Sequence, residues 1–280
     1  MPILEGASYF GTDDYDQSYF VQLDTEDRPH LCGQTVGSSL ALVGDVYANN
    51  PNGSTFVVRF SAALDAVDWV TRVGLPQSGI DISPTAFLVS DCDEMYISGW
   101  GGVTNNSNSS NAGQSTTSGM PTTVDAYQIG TDVSDFWLGV LAPEAADLAY
   151  GTFFGGTFSN EHVDGGTSRF DKNGTVYQAV CAGCGGWDDF PTTAGAWSGT
   201  NPSSNCNLGV FKFNLGSLVA DIDIDAPDLI CAGEAIQFVN NSIGGNDYVW
   251  DFGDLSISDE ENPEYVYLTP GEWDVMLIVS

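Results

Sequence analysis

Apolar and polar residues alternate over short runs along most of this 280-residue chain, and Gly-, Asp- and Asn-rich turns separate the runs. Period-two alternation bounded by turn residues predicts half-buried β-strands, because successive side chains of a strand face opposite ways. Three stretches share one form. Phe20-Val21-Gln22-Leu23 leads through Asp24-Thr25-Glu26-Asp27 to His30-Leu31-Cys32-Gly33. Ala86-Phe87-Leu88-Val89 leads through Ser90-Asp91-Cys92-Asp93 to Tyr96-Ile97-Ser98-Gly99. Ser168-Arg169-Phe170 leads through Asp171-Lys172-Asn173-Gly174 to Val176-Tyr177-Gln178. The offsets Leu23 to His30, Val89 to Tyr96 and Phe170 to Tyr177 are all seven, and such runs around an Asp-rich or Asn-Gly turn predict β-hairpins. Near the C-terminus, Trp273, Val275, Leu277 and Val279 fall on one face of a further predicted strand.

The hairpins belong to a longer repeat. Apolar runs end at Gly11, Gly74 and Gly155, spaced 63 and 81 residues apart, and each opens a unit. The units lie near residues 7–70, 71–150 and 151–217. Pro121-Thr122-Thr123-Val124-Asp125-Ala126-Tyr127 recurs as Pro191-Thr192-Thr193-Ala194-Gly195-Ala196-Trp197. Apolar strands close the units at Thr55–Phe60, Phe136–Leu141 and Leu208–Phe213. The polar run Asn105–Asn111 reads as an inserted surface loop. Four-stranded units of this length predict β-propeller blades. Closed propellers have about four to eight blades, so three predict a partial ring.

The third unit carries Tyr150-Gly151-Thr152-Phe153-Phe154-Gly155-Gly156, Asp164-Gly165-Gly166, Asp171-Lys172-Asn173-Gly174-Thr175-Val176-Tyr177 and Asp189-Phe190-Pro191-Thr192-Thr193. It resembles the bacterial β-propeller repeat known as SBBP, and the resemblance extends over about residues 7–217. Beyond an acidic, Pro-terminated stretch at 221–227, read as a linker or a leading strand, residues 228–280 form a second module. Its Phe238-Val239-Asn240-Asn241-Ser242, Trp250-Asp251-Phe252-Gly253-Asp254, Asn262-Pro263, Tyr267 and Pro270-Gly271-Glu272-Trp273 resemble the PKD domain, an immunoglobulin-like sandwich. Leu255 stands where that family usually has glycine. The expected fold is therefore all-β: about three four-stranded blades followed by a PKD β-sandwich. Repeats followed by PKD modules resemble large surface proteins of Bacteroidetes, many gliding-motility-associated and exported by type IX secretion. That resemblance implies an extracellular or outer-surface location and further domains of the same polypeptide. The N-terminal signal and C-terminal sorting domain of that export route are not in this sequence, so the chain reads as an internal portion or a truncated product.

Charge narrows the function classes. Lys and Arg number 6 against 38 Asp and Glu, a formal net charge of −32. Phosphate backbones and anionic membranes need a basic footprint, which this composition excludes. A hydrophobic fraction of 42% with 12% aromatics still allows a sizeable core. No run approaches the roughly 18 apolar residues of a membrane-spanning helix.

Candidate chemistry is sparse. Cys181, Cys184 and Cys206 cluster in the third unit. With His162 they offer a zinc half-site, but no second CxxC completes it. The plainer reading is a disulfide pinning an inserted loop, Cys206 pairing with Cys181 or Cys184. Acidic clusters at Asp13, Asp14 and Asp16, at Asp188 and Asp189, and at Asp221, Asp223 and Asp225 offer hard oxygen ligands for calcium. The resemblance adds Asn241, Asp251 and Asp254 of the PKD-like module by position. The alternative for all of them is a solvated acidic face that favours solubility. No G-x-S-x-G nucleophile motif occurs. His30 takes the repeat slot of Tyr96 and Tyr177, which makes it structural. The Trp and Tyr residues fit either sugar-stacking platforms or strand cores. The expectation is a non-enzymatic extracellular module of an adhesin or scaffold, binding surface proteins or polysaccharides, without a required cofactor. The alternative is an accessory region of a secreted polysaccharide- or protein-degrading enzyme.

Overall fold

The computed structural model describes residues 3–75, 79–102, 115–163, 168–216, 220–225, 230–242 and 247–279. The Asn105–Asn111 run and the Asp164-Gly165-Gly166 motif lie outside the described residues. The chain is all-β, with 40% of residues in strands and 2% helical. It divides into two compact units, residues 1–215 and 216–280.

Among the described residues, the first unit holds three antiparallel meanders. The first sheet runs β1 (Asp16–Leu23), β2 (Pro29–Thr35), β3 (Thr55–Phe60) and β4 (Val67–Val73) in sequence order. The second runs β5 (Ser83–Val89), β6 (Met95–Trp100), β7 (Phe136–Leu141) and β8 (Leu148–Phe154). The third runs β9 (Arg169–Phe170), β10 (Thr175–Ala182) and β11 (Asn207–Asn214).

The three predicted hairpins form in one register: Gln22 pairs with His30, Leu88 with Tyr96 and Arg169 with Tyr177. A repeated turn fixes that register. Asp24 Oδ1 accepts the N–H groups of Glu26 and Arg28, Ser90 Oγ those of Cys92 and Glu94, and Asp171 Oδ1 those of Asn173 and Thr175. Short oxygen-bearing side chains replace the missing backbone acceptor of a tight turn.

Sheet phase differs from repeat phase. The run ending at Gly74, which opens the second repeat by spacing, is the closing strand β4 of the first sheet. The run ending at Gly155 likewise closes the second sheet as β8. A repeat counts from any fixed point, whereas a sheet ends where hydrogen bonding ends.

Alternation decides what each face meets. In the second sheet Phe87, Val89, Met95, Ile97, Trp137, Leu141 and Phe153 share a core with Cys32, Val57, Trp69 and Val73 of the first. The opposite face puts Ala86, Tyr96, Trp100, Phe136, Leu138, Val140 and Phe154 against Val176, Val180 and Phe211 of the third. Both faces are covered, so every residue of β6 and β7 is buried, and these strands read as continuous runs. Each large apolar side chain so buried contributes about 1.5–3 kcal/mol. The third sheet has one covered face, and Tyr177, Leu208 and Val210 stay exposed on the other. First strands of consecutive sheets touch, β1 with β5 and β5 with β9. The buried Arg72 guanidinium donates to the carbonyls of Gly53, Leu40 and Gly37 at 2.7, 2.8 and 3.1 Å, tying loops to the first sheet.

The second unit is two three-stranded sheets: β12 (Ile222–Asp225), β13 (Ala235–Asn240) and β16 (Glu264–Val266), and β15 (Ile257–Ser258), β14 (Tyr248–Asp251) and β17 (Met276–Val279). Ile236, Phe238, Trp250, Phe252, Tyr267, Leu277 and Val279 fill the core. Trp250 donates Nε1–H to the Glu260 carbonyl at 3.0 Å, so its burial leaves no orphan donor. Of the two readings of 221–227, linker or leading strand, the strand applies over Ile222–Asp225, which forms β12 against Gln237–Asn240; residues 226–227 lie outside the described residues. The last strand starts at Met276 and not Trp273, whose ring stacks on Tyr267 at 5.2 Å.

Candidate functional site

The end of the β10–β11 hairpin is the chemically densest part of the first unit. Its last rung pairs Ala182 with Asn207, and the Cys184–Cys206 disulfide lies immediately beyond it. Of the two pairings left open, Cys206 takes Cys184. Cys181 exchanges both backbone hydrogen bonds with His162. His162, Cys184 and Cys206 have their ligand atoms within 4.8 Å of one another, and His162 Nδ1 is 3.5 Å from Cys184 Sγ. Two sulfurs joined to each other cannot serve as two thiolates, so the set does not fit the zinc site that the residue types suggested. His30, the other histidine, is buried with its ring 5.5 Å from Trp69. Burial lowers its pKa.

The disulfide closes a loop that has no strand of its own, and side-chain staples hold it. Asn201 Nδ2 donates to the carbonyls of Gly183, Trp187 and Asn205 at 3.1, 3.0 and 3.0 Å. Asp189 Oδ2 accepts the N–H groups of Thr157 at 2.8 Å and Phe158 at 2.7 Å, tying this loop to the turn after β8. The two loops together present an aromatic pair. The rings of Phe158 and Trp187 lie 5.2 Å apart at 36°, with the residues 62% and 48% exposed. Trp197, further along the same loop, is fully exposed. Large aromatics left in solvent by a polar scaffold are an interaction signal, because burying them elsewhere would be favourable.

A second arrangement recurs beside each repeat glycine. The N–H of the following residue donates to an acid a few positions on: Thr12 to Asp16, Leu75 to Asp81 and Gly156 to Glu161. At Gly74 the acid is satisfied, since Ser54 Oγ donates to Asp81 Oδ2 at 2.6 Å and accepts the Asp81 N–H at 2.6 Å. Burial nevertheless pushes the Asp81 carboxyl up to about 6. At Gly155 the place of Ser54 belongs to Asp135. Thr55 pairs with Val73 and Phe136 with Phe154, so the residue before each strand occupies the same position. Burial, with the charges of Asp132 and Glu161 adding to it, pushes the Asp135 carboxyl up to about 7. The recurring acid was present in the sequence as Gly11/Asp16, Gly74/Asp81 and Gly155/Glu161. Its varying spacing hid it among 38 acidic residues.

In the second unit, Asp251 and Asp254 serve their own turn. Asp251 Oδ1 accepts the Gly253 N–H, Asp254 Oδ1 accepts the Ser256 N–H, and Asp254 Oδ2 accepts the Tyr265 hydroxyl at 2.7 Å. Asn241 is exposed and donates its N–H to the Asp221 carbonyl. Asp223 and Asp225 are exposed on β12. The turn itself keeps a glycine-like conformation, with Leu255 at φ +78°.

This sandwich, with Trp250 in its core and the Trp-Asp-Phe-Gly-Asp turn beside it, decides the family of the C-terminal unit. Residues 220–280 are a PKD domain. The match spans the PKD domain alone and leaves the three sheets of the first unit outside it. No curated protein matches the chain. Among the described residues, no helix is long and apolar enough to cross a membrane. A PKD domain indicates an extracellular, adhesion-type module.

Proposed function

We propose that this chain is a non-enzymatic extracellular contact module, a portion of a larger surface adhesin or scaffold, that binds polysaccharide through the Phe158–Trp187 surface. The observation that carries the reading is that exposed aromatic pair, held by a disulfide, Asn201 and Asp189. A pyranose presents a flat face of C–H groups that packs on aromatic rings. Pre-fixing the rings lowers the ordering cost of binding.

The three consecutive meanders, with first strands in contact, support the SBBP-type propeller reading, and the PKD domain supports surface display. Export by type IX secretion and a part in gliding or attachment belong to the same proposal, as do surface proteins as further partners. The enzyme-accessory alternative lacks a comparable observation. Asp81 and Asp135, whose pKa values rise most among the described carboxylates, have no exposed surface on which a substrate could react. The test is binding of the chain to a polysaccharide panel with product analysis. Retention without released product, lost in Trp187→Ala, supports the reading. Product release, or retention unchanged in that variant, overturns it.

A further inference from the structure

The repeat junctions at Gly74 and Gly155 differ in what faces the acid, and at Gly155 one oxygen of a buried carboxylate is left without a donor. At Gly74 the pair is Ser54 and Asp81, a hydroxyl against a carboxylate. At Gly155 it is Asp135 and Glu161, two carboxylates. Both are buried, at 0% and 1% exposure. They converge on one point: the position a Cβ on Gly155 would take lies 1.9 Å from Asp135 Oδ1 and 3.0 Å from Glu161 Oε2. Only a glycine leaves that space open.

Glu161 is held from its own loop, Oε1 by the Ser159 hydroxyl and Oε2 by the Gly156 N–H. Asp135 Oδ2 receives the Asp132 N–H at 3.2 Å and a Gln128 Nε2–H at 3.5 Å, and the Thr131 hydroxyl also donates to this carboxylate. Asp135 Oδ1, facing Glu161, has no hydrogen-bond partner at all. The charges acting on Asp135 are those of Asp132 and Glu161, both negative, and Asp189 acts in turn on Asp132. An orphaned, fully buried carboxylate oxygen aimed at a second carboxylate is costly unless something positive lies between them.

We infer that Asp135 and Glu161 bind one hard divalent cation of the calcium class over Gly155. The donors are all oxygen, with neither imidazole nor thiolate contributing, which suits calcium over zinc or copper. Bound there, the ion joins the turn after β8, which carries Phe158, to the residue just before β7. The inference is independent of what the aromatic surface binds.

The experiment uses the full chain at neutral pH, with calcium titrated calorimetrically and melting followed with calcium or with a chelator. Wild type is expected to melt about 5 °C or more higher in calcium at a hundredfold excess over Kd. Asp135→Ser rebuilds the Ser–acid pair of the first junction. It is expected to lose one calcium equivalent and most of the shift, and to melt above wild type in chelator. Glu161→Gln, which keeps the shape of the side chain, should lose the same equivalent and stands in if the serine variant does not fold. Magnesium and zinc chloride serve as comparisons. The inference fails if wild type shows no calcium-dependent shift, which would leave a shared proton as what neutralises the pair. It fails equally if the folded variants keep full stoichiometry, or if zinc binds this site more tightly than calcium.

Discussion

Replacing both Cys184 and Cys206 by serine should loosen the aromatic surface while leaving the sheets intact. The bridge spans 22 positions in the chain. Closing a loop of that length removes chain entropy worth about 3 kcal/mol at room temperature. Where that loss is felt depends on what the bridge holds. The bridge lies beyond the last β10–β11 rung, and the residues between the cysteines form no strand. Val176, Val180 and Phe211 of the same hairpin are buried against the second sheet and do not depend on it. The cost should therefore appear as local opening of residues 185–205. About 3 kcal/mol corresponds to roughly a hundredfold rise in the open population. Amide hydrogen exchange read by mass spectrometry would show that rise in peptides across 185–205, with β10 and β11 unchanged. Polysaccharide affinity should fall in proportion to the lost closed fraction. Exchange rising less than tenfold in the loop, or rising equally throughout the third sheet, would refute the argument.

Two further predictions concern other parts of the chain. Leu255 is held in the left-handed region at φ +78° with its side chain fully exposed, so Leu255→Gly should raise the stability of the PKD domain by about 1 kcal/mol; chemical denaturation that shows a loss instead would count against the turn assignment. Asp81 and Asp135 have folded-state pKa values of about 6 and about 7, raised from 3.8 by burial. The folded state therefore holds protons that the unfolded state has released, and stability in chelator should fall as pH rises from about 4 to about 7. Melting scans should show that slope, flattened in Asp81→Asn and Asp135→Asn; variants with the wild-type slope would contradict the assignment.

Much of the fold is written in local pattern. The three hairpins were legible because a turn residue with a short oxygen-bearing side chain, Asp24, Ser90 or Asp171, recurs at a fixed distance from a following ring. The PKD core was legible because Trp250, Phe252 and Tyr267 stand at specific places in a recognisable turn sequence. The strand Ile222–Asp225 was legible only as one of two readings, since all four residues are exposed and two are aspartates, a composition that suits a linker equally. The last strand starts later than its alternation implies because Trp273 continues the alternation without continuing the strand; its ring stacks on Tyr267 instead.

The site was legible only in part. Spacing brought Cys206 to the CxxC but did not choose between Cys181 and Cys184; the hairpin register, which places Cys184 and Cys206 just past the last rung, makes that choice. Phe158 joins Trp187 through two backbone hydrogen bonds to Asp189, a contact between loops distant in sequence. Asp135 becomes informative only once its strand is aligned with that of Ser54 and the pairing across Gly155 is seen.

The proposed function rests on contact without conversion at the Phe158–Trp187 surface. Its most direct measurement is incubation of the full chain and of Trp187→Ala with the same immobilised polysaccharide panel, reading bound protein and released sugar together. Wild type should be retained, Trp187→Ala should be retained at least tenfold less, and neither should release sugar. Sugar appearing in solution with wild type, or equal retention of both proteins, would contradict the proposed function.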